Sequence, residues 1–215
     1  MTTQSISIFE MAVKGGWLMI VLLLLSILAI YLFGKKWWEI HSASKIDPNF
    51  LKDIKDYLRD GKTKSAKTLC TKFDSPVARM AEAGLENCGK SVSEVQNAIE
   101  NAGNVEISRL EKGLSYLAMI AGGAPMIGFL GTVVGMVQAF FNMSNAGNNI
   151  DISLLSGGIY TAMITTVGGL VVGILAYFGY NFLTAKVSDA VFDMQNATNE
   201  LTKILDPANQ EQTTE

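Results

Sequence analysis

Three long apolar runs separate the polar segments of the chain. They cover residues 15–33, roughly 114–141 and roughly 152–183. Apolar runs of about 20 residues are typical of transmembrane helices. The second and third runs exceed that minimum, so we expect them to tilt or to extend beyond the bilayer.

Helical spacing of apolar residues continues outside these runs. Ser75–Pro76 and Ser91 are typical helix starts. No proline lies between Pro76 and Pro125, so the helix that begins near Ser91 is expected to continue unbroken into the second run. Past Lys186 an apolar stripe prolongs the third run. The pattern predicts an all-α membrane protein with three transmembrane helices, the second and third extended into a cytoplasmic helical domain.

The distribution of charge predicts the topology. Residues 35–112 hold 14 of the 17 Lys and Arg, whereas residues 113–185 carry Asp151 as their one formal charge. Basic residues concentrate in cytoplasmic segments. We therefore expect residues 35–112 and the C-terminus to be cytoplasmic and the N-terminus to be periplasmic.

These boundaries divide the chain into seven segments. The first run is expected to stay attached as a helix, because "KKWW" follows it in place of a signal-peptide cleavage site. The predicted segments are an amphipathic lead-in on the periplasmic or interface side (1–14), transmembrane helix 1 (15–34), a cytoplasmic helical segment (35–113), transmembrane helix 2 (114–141), a short periplasmic loop (142–152), transmembrane helix 3 (153–184), and a cytoplasmic helix with a polar tail (185–215).

Several classes of function lack support in the sequence. Cys70 and Cys88 lie 18 positions apart and His41 is the only histidine, which does not match the spacing of a zinc site, so two reduced thiols are expected. No nucleophile–base pair or phosphate loop is visible, so neither an enzyme nor a cofactor is predicted. Residues 35–112 balance 14 basic against 12 acidic residues, which gives no indication of nucleic-acid binding.

Small residues crowd the second and third runs. Gly131 and Gly135 form one small-xxx-small pattern, and Gly169 and Gly173 form another. Such patterns allow the backbones of membrane helices to approach closely. Pro125 lacks a backbone donor and leaves the Ala121 carbonyl without its helical partner. Close helix packing is predicted for most of the glycines in these runs, which also include Gly122, Gly123, Gly128, Gly157, Gly158, Gly168 and Gly179.

Four threonines are the candidate chemistry of the two runs. Thr132 lies in the middle of the second run, and the third contains Thr161, Thr165 and Thr166. Each could bond its own helix backbone at i−4, or the four could form a polar track for ions. The runs hold no ionisable Asp, Glu, Lys, Arg or His. If protons cross the membrane here, the group that binds them in mid-bilayer must come from another chain.

Several separate motifs resemble one known family. The stretches "APMIGFLGTVVGMVQAF", "TAMITTVGGLVVGILAYFGYNFL" and "SPVARMAEAGLE" occur in the order found in the MotA/TolQ/ExbB proton-channel family, with the nearest likeness to its ExbB and TolQ members. The resemblance covers nearly all of residues 5–190. It implies an inner-membrane pentamer around two copies of a single-span ExbD- or TolR-like partner that carries a membrane aspartate.

The resemblance also implies a function. Proton flow through that partner would drive a motor whose work reaches TonB in the ExbB systems, or the Tol–Pal system for outer-membrane maintenance in the TolQ systems. Thr132 and Thr166 match the family's signature threonines, and Pro125 matches its second-span proline. Thr161 stands where ExbB proteins usually have a glutamate. A MotA-like motility stator is a weaker alternative, because such proteins typically have four spans, and a non-conducting membrane scaffold stays open.

Overall fold

The computed structural model describes residues 16–43, 49–145 and 152–205, and every regular element within those ranges is an α-helix. Three helical stretches, within Trp17–Ala43, Val92–Asn145 and Leu155–Leu205, are long and apolar enough to cross a membrane. The all-α class and the three candidate spans are thus confirmed. The lead-in 1–14, most of the loop 142–152 and the tail beyond Leu205 lie outside the described residues. The helices are α1 (Trp17–Ala43), α2 (Phe50–Arg59), α3 (Thr63–Lys72), α4 (Pro76–Glu86), α5 (Val92–Glu111), α6 (Leu114–Asn145) and α7 (Ile152–Leu205).

The unbroken helix predicted to enter the second run is wrong at one point. α5 ends at Glu111, and α6 starts at Leu114. Between them Gly113 has φ +97°, a left-handed conformation that glycine adopts without the steric cost of a Cβ. The helix therefore ends at a glycine and not at a proline. The third run behaves as predicted, since α7 continues without a break from Ile152 to Leu205.

One compact unit contains residues 16–34 and 113–182, which hold the three apolar stretches. α1 contacts α7 at small residues: a Cβ built at Gly168 would lie 3.1 Å from the Met19 sulphur, and one at Gly179 would lie 3.0 Å from the Phe33 ring. The opposite face of α1 is open, with the side chains of Ile20 and Leu24 64% and 61% exposed. An apolar face of this kind fits contact with lipid.

The second unit contains residues 35–112 and 183–205 of the described chain. Its core is apolar, and Ile54, Ile99 and Leu201 have no exposed surface. Its helix starts follow the sequence prediction. The Ser75 hydroxyl accepts from the Ala78 amide at 3.2 Å, and Ser91 forms a capping box that opens α5.

A buried carboxylate joins α4 to α5 within this second unit. The Glu106 side chain is 5% exposed and accepts from Arg79 Nη2 at 2.6 Å and from Arg109 Nη1 at 2.7 Å. Asp74 also pairs with Arg79. The hydrogen bond to Glu106 raises the pKa of Arg79 above its ordinary value, so the guanidinium stays charged. Two cations thus neutralise the buried carboxylate, which water no longer solvates.

Candidate functional site

α6 and α7 pack as an antiparallel pair through residues without bulky side chains. Successive contacts run in opposite directions along the two helices, and at each of them a glycine faces its neighbour too closely for a Cβ. A Cβ at Gly169 would lie 2.6 Å from the Ala124 carbonyl oxygen and 2.8 Å from Gly128 Cα. The facing pairs are Pro125 with Gly173, Gly128 with Gly169, Gly131 with Thr165, Gly135 with Ala162, and Ala139 with Gly158.

Pro125 lies inside α6 and has its own contact on α7. A Cβ at Gly173 would lie 2.5 Å from the Pro125 ring and 3.0 Å from the Ala121 carbonyl oxygen. That carbonyl is the one that the proline deprives of its helical donor. The glycine therefore allows α7 to cover both the ring and the carbonyl oxygen.

Three of the remaining glycines do not pack against another described helix. Outside their own helix backbone, no heavy atom of the described residues lies within 4 Å of a Cβ built at Gly122, Gly123 or Gly157. The general packing prediction therefore does not extend to these three positions in the single chain. It was based on composition, which cannot tell which helix faces meet.

The hydroxyls of Thr132 and Thr166 meet between the two helices. They are hydrogen-bonded to each other. The Thr132 hydroxyl also lies 3.1 Å from the Ala162 carbonyl oxygen of α7, and the Thr166 hydroxyl lies 3.1 Å from the Gly128 carbonyl oxygen of α6. Both side chains are half-buried, so the pair combines interhelical bonding with partial access from outside.

Thr165 occupies a different environment from this pair. Its side chain is 2% exposed and lies against Gly131, where a Cβ would be 2.7 Å from its own Cβ. Its hydroxyl lies 3.0 Å from the carbonyl oxygens of Thr161 and Ala162. Thr161 thus contributes its backbone carbonyl to the cluster. The structure brings together Thr132, Thr165 and Thr166, but only Thr132 and Thr166 are half-exposed.

Two hydrogen-bond acceptors of this cluster are backbone carbonyls that the sequence did not predict. Gly128 is four residues before Thr132, and Ala162 is four residues before Thr166. Each hydroxyl lies within hydrogen-bonding distance of the carbonyl that precedes the other threonine by one turn. The i−4 spacing could have drawn attention to both residues, although it could not show that the bonds cross between helices.

The surroundings of the cluster are free of formal charge. Within residues 17–34, 114–145 and 152–182 the sequence has no Asp, Glu, Lys, Arg or His. Among the described residues, no three His, Cys, Asp or Glu side chains group as a metal site would require. The hydroxyl cluster can therefore donate and accept hydrogen bonds, but it cannot hold a proton as a titrating group at physiological pH.

Comparison with known proteins supports one family. Residues 72–196, more than half of the chain, match the MotA/TolQ/ExbB proton channel family. An ExbB homolog for biopolymer transport from Methanothermobacter thermautotrophicus is 30% identical over 189 residues, covering 86% of this chain and 66% of that protein.

Two further relatives agree with this match. An ExbB-like biopolymer transport protein of Synechocystis is 28% identical over 85% of this chain and 73% of its own length. The Tol-Pal system protein TolQ of Haemophilus influenzae is 33% identical over 68% of this chain and 64% of its own length. The chain therefore spans about two thirds of the length of these relatives. The family match covers α5, α6 and most of α7, including all four candidate threonines, and the chain belongs to the MotA/TolQ/ExbB proton channel family.

Proposed function

We propose that the chain is the channel subunit of a proton-driven stator, in which a carboxyl group of a single-span partner meets the Thr132–Thr166 pair. The proposal is based on one observation. The half-exposed hydroxyl pair lies between two helices that have no charged side chain along their apolar lengths. A proton needs a titrating group to bind in mid-bilayer, and this chain supplies none there.

The physical advantage of such a site comes from low polarity combined with fixed dipoles. An ionised carboxylate is costly in hydrocarbon, whereas a protonated carboxyl group can donate there to an uncharged hydroxyl oxygen. Each proton that moves inward releases about 2.3 kcal/mol per 100 mV of membrane potential. A step of that size is several times the thermal energy and is sufficient to bias the motion of one subunit against another.

The assembly that we propose follows the family. Five copies of this chain would surround two copies of an ExbD- or TolR-like protein in a bacterial inner membrane. The N-terminus of each copy would be periplasmic and its C-terminus cytoplasmic. The charge distribution supports that orientation, since 14 of 17 basic residues fall in 35–112. We assign the work to a TonB-like protein by the family resemblance, with a TolQ-like role in outer-membrane maintenance as the alternative, since both ExbB-named and TolQ-named relatives match.

The test is proton flux through the complex reconstituted in vesicles. Thr132→Val and Thr166→Val remove one hydroxyl each while keeping the side-chain shape, and we expect flux to fall at least about tenfold while the assembled mass is unchanged. Thr132→Ser and Thr166→Ser retain the hydroxyl and should retain most of the flux.

Thr202→Val is the matched control. Thr202 lies in the same helix, α7, and its hydroxyl bonds the Thr198 carbonyl at 2.8 Å, outside the apolar stretch. Its loss should leave flux near the wild-type level. Full flux in both Thr132→Val and Thr166→Val would refute the hydroxyl site. A stable wild-type complex that conducts no protons at all would favour a membrane scaffold.

A further inference from the structure

The hydrogen bonds of the Thr132–Thr166 pair form a crossed arrangement. Thr132 reaches the Ala162 carbonyl oxygen at 3.1 Å, and Thr166 reaches the Gly128 carbonyl oxygen at 3.1 Å. The weaker alternative for Thr132 is its own i−4 carbonyl at Gly128, 3.4 Å away. The two hydroxyl oxygens are in turn bonded to each other.

Counting protons shows that this arrangement has two polarities. Each threonine has a single hydroxyl proton. If Thr132 donates to Thr166, the Thr166 proton goes to the Gly128 carbonyl. If Thr166 donates to Thr132, the Thr132 proton goes to the Ala162 carbonyl. In both cases the protein uses both protons, and one hydroxyl oxygen keeps lone pairs that can accept from outside.

Thr165 can bond to a backbone carbonyl in either polarity. Its hydroxyl lies 3.0 Å from both the Thr161 and the Ala162 carbonyl oxygens. When Thr132 turns away from Ala162, Thr165 can donate there, and when Thr132 returns, Thr165 can donate to Thr161. Thr165 is thus a positioning residue that keeps the Ala162 carbonyl bonded in either polarity.

We propose that the closed Thr132–Thr166 pair is an acceptor-only site, which binds a partner carboxyl in its protonated, neutral form and excludes the ionised carboxylate. This inference rests on the proposed function and specifies which protonation state of the partner carboxyl the site selects. A protonated carboxyl has an O–H to donate, whereas a carboxylate can only accept. The carboxylate can bind only after Thr132 or Thr166 leaves its backbone carbonyl and offers its proton.

No charged side chain of the described apolar helices competes with this selectivity. α6, the apolar part of α7 and the apolar part of α1 carry no Asp, Glu, Lys, Arg or His. Their titratable side chains are tyrosines. These tyrosines are Tyr31, Tyr116, Tyr160, Tyr177 and Tyr180. A pH dependence in the difference between the wild type and a variant that lacks both hydroxyls is therefore assigned to the partner carboxyl.

The test compares the wild-type chain with the double variant T132V/T166V across a pH series. The probe is the ExbD- or TolR-like single-span protein, in its aspartate form and with that aspartate changed to asparagine, and the measured quantity is its affinity for the chain in nanodiscs. We expect the wild type to bind the aspartate form about tenfold more tightly than the double variant at acid pH. That advantage should disappear at alkaline pH. With the asparagine form, whose amide still donates, the advantage should persist at every pH.

Other outcomes distinguish a failure of the acceptor-only site from a failure of the proposed function. A wild-type advantage that grows at alkaline pH would mean that the pair donates to the carboxylate, which overturns the acceptor-only site and leaves the proposed function intact. No advantage at any pH, with either form of the partner, would show that the carboxyl does not meet the pair, and the proposed function would lose its site. The variant T132S/T166S should behave as wild type, and Thr166→Val alone provides the comparison if the double variant does not fold.

Discussion

Gly169→Ala tests whether the close approach of α6 and α7 positions the hydroxyl pair. The added Cβ would meet three backbone atoms of α6, the nearest being the Ala124 carbonyl oxygen at 2.6 Å. Backbone cannot rotate away, so the helices must separate by roughly 0.8 Å to restore an ordinary 3.4 Å contact. The interhelical bonds of Thr132 and Thr166, both 3.1 Å, would then lengthen beyond hydrogen-bonding distance.

The expected change in stability is small, whereas the expected change in function is large. Overpacking costs about 1–3 kcal/mol, and replacing a helical glycine by alanine returns about 1 kcal/mol, so Gly169→Ala should lose about 1 kcal/mol. Proton flux should fall at least about tenfold because the hydroxyl pair no longer bridges the helices.

Gly157→Ala supplies the control and the refutation. Gly157 lies in the same helix, and no described heavy atom outside its own helix backbone lies within 4 Å of its Cβ position. We expect this variant to match or slightly exceed the wild-type thermal stability of the detergent-solubilised chain. Proton flux near the wild-type level in Gly169→Ala vesicles, with unchanged thermal stability, would refute the claim that backbone contact sets the geometry of the threonines.

Two further predictions concern the second unit. Burial raises the pKa of the Cys70 thiol to about 11, so about one thiol in a thousand is ionised at pH 8; mass spectrometry after brief alkylation at pH 8 should find Cys88 modified and Cys70 unmodified until the chain unfolds, and equal labelling of both in the folded chain would contradict the burial of Cys70. Glu106→Ala should destabilise this unit by about 2 kcal/mol in thermal or denaturant unfolding, because it leaves two arginines without their shared carboxylate. Glu100→Ala, an exposed change in the same helix, should stay within about 0.5 kcal/mol of wild type, and equal losses in the two variants would contradict the buried cluster.

Much of the fold could be predicted because membrane length and helix caps are local signals. The apolar runs indicated three spans, and Ser75 and Ser91 marked helix starts that the structure shows. The break at Gly113 was not predicted, because the absence of proline between Pro76 and Pro125 indicated a continuous helix. Glycine also ends helices when it adopts a positive φ. Which glycines meet another helix could not be read from spacing. Gly131 and Gly157 look alike in sequence, and only Gly131 faces a neighbour.

The threonine site shows the same limit more sharply. Composition indicated four hydroxyls and no charge, but Thr165 and Thr166 are adjacent in sequence and have different partners. Thr165 bonds carbonyls of its own helix, whereas Thr166 bonds the hydroxyl and a carbonyl of α6. The difference arises from the 100° rotation between successive residues of a helix, which becomes meaningful only once the facing helix is in place.

The glycine contacts and the hydroxyl pair therefore depend on one geometric condition. A threonine can reach a carbonyl of the next helix only where the backbones lie closer than leucine or valine side chains would permit, and the contacts at Gly131 and Gly135 provide that approach on either side of Thr132. In a looser pair, each hydroxyl would return to its own i−4 carbonyl and the crossed bonds would be lost. The small residues of this helix pair thus affect function by setting the distance between the two helix backbones. For this reason a methyl group at Gly169 is expected to affect proton flux more strongly than stability.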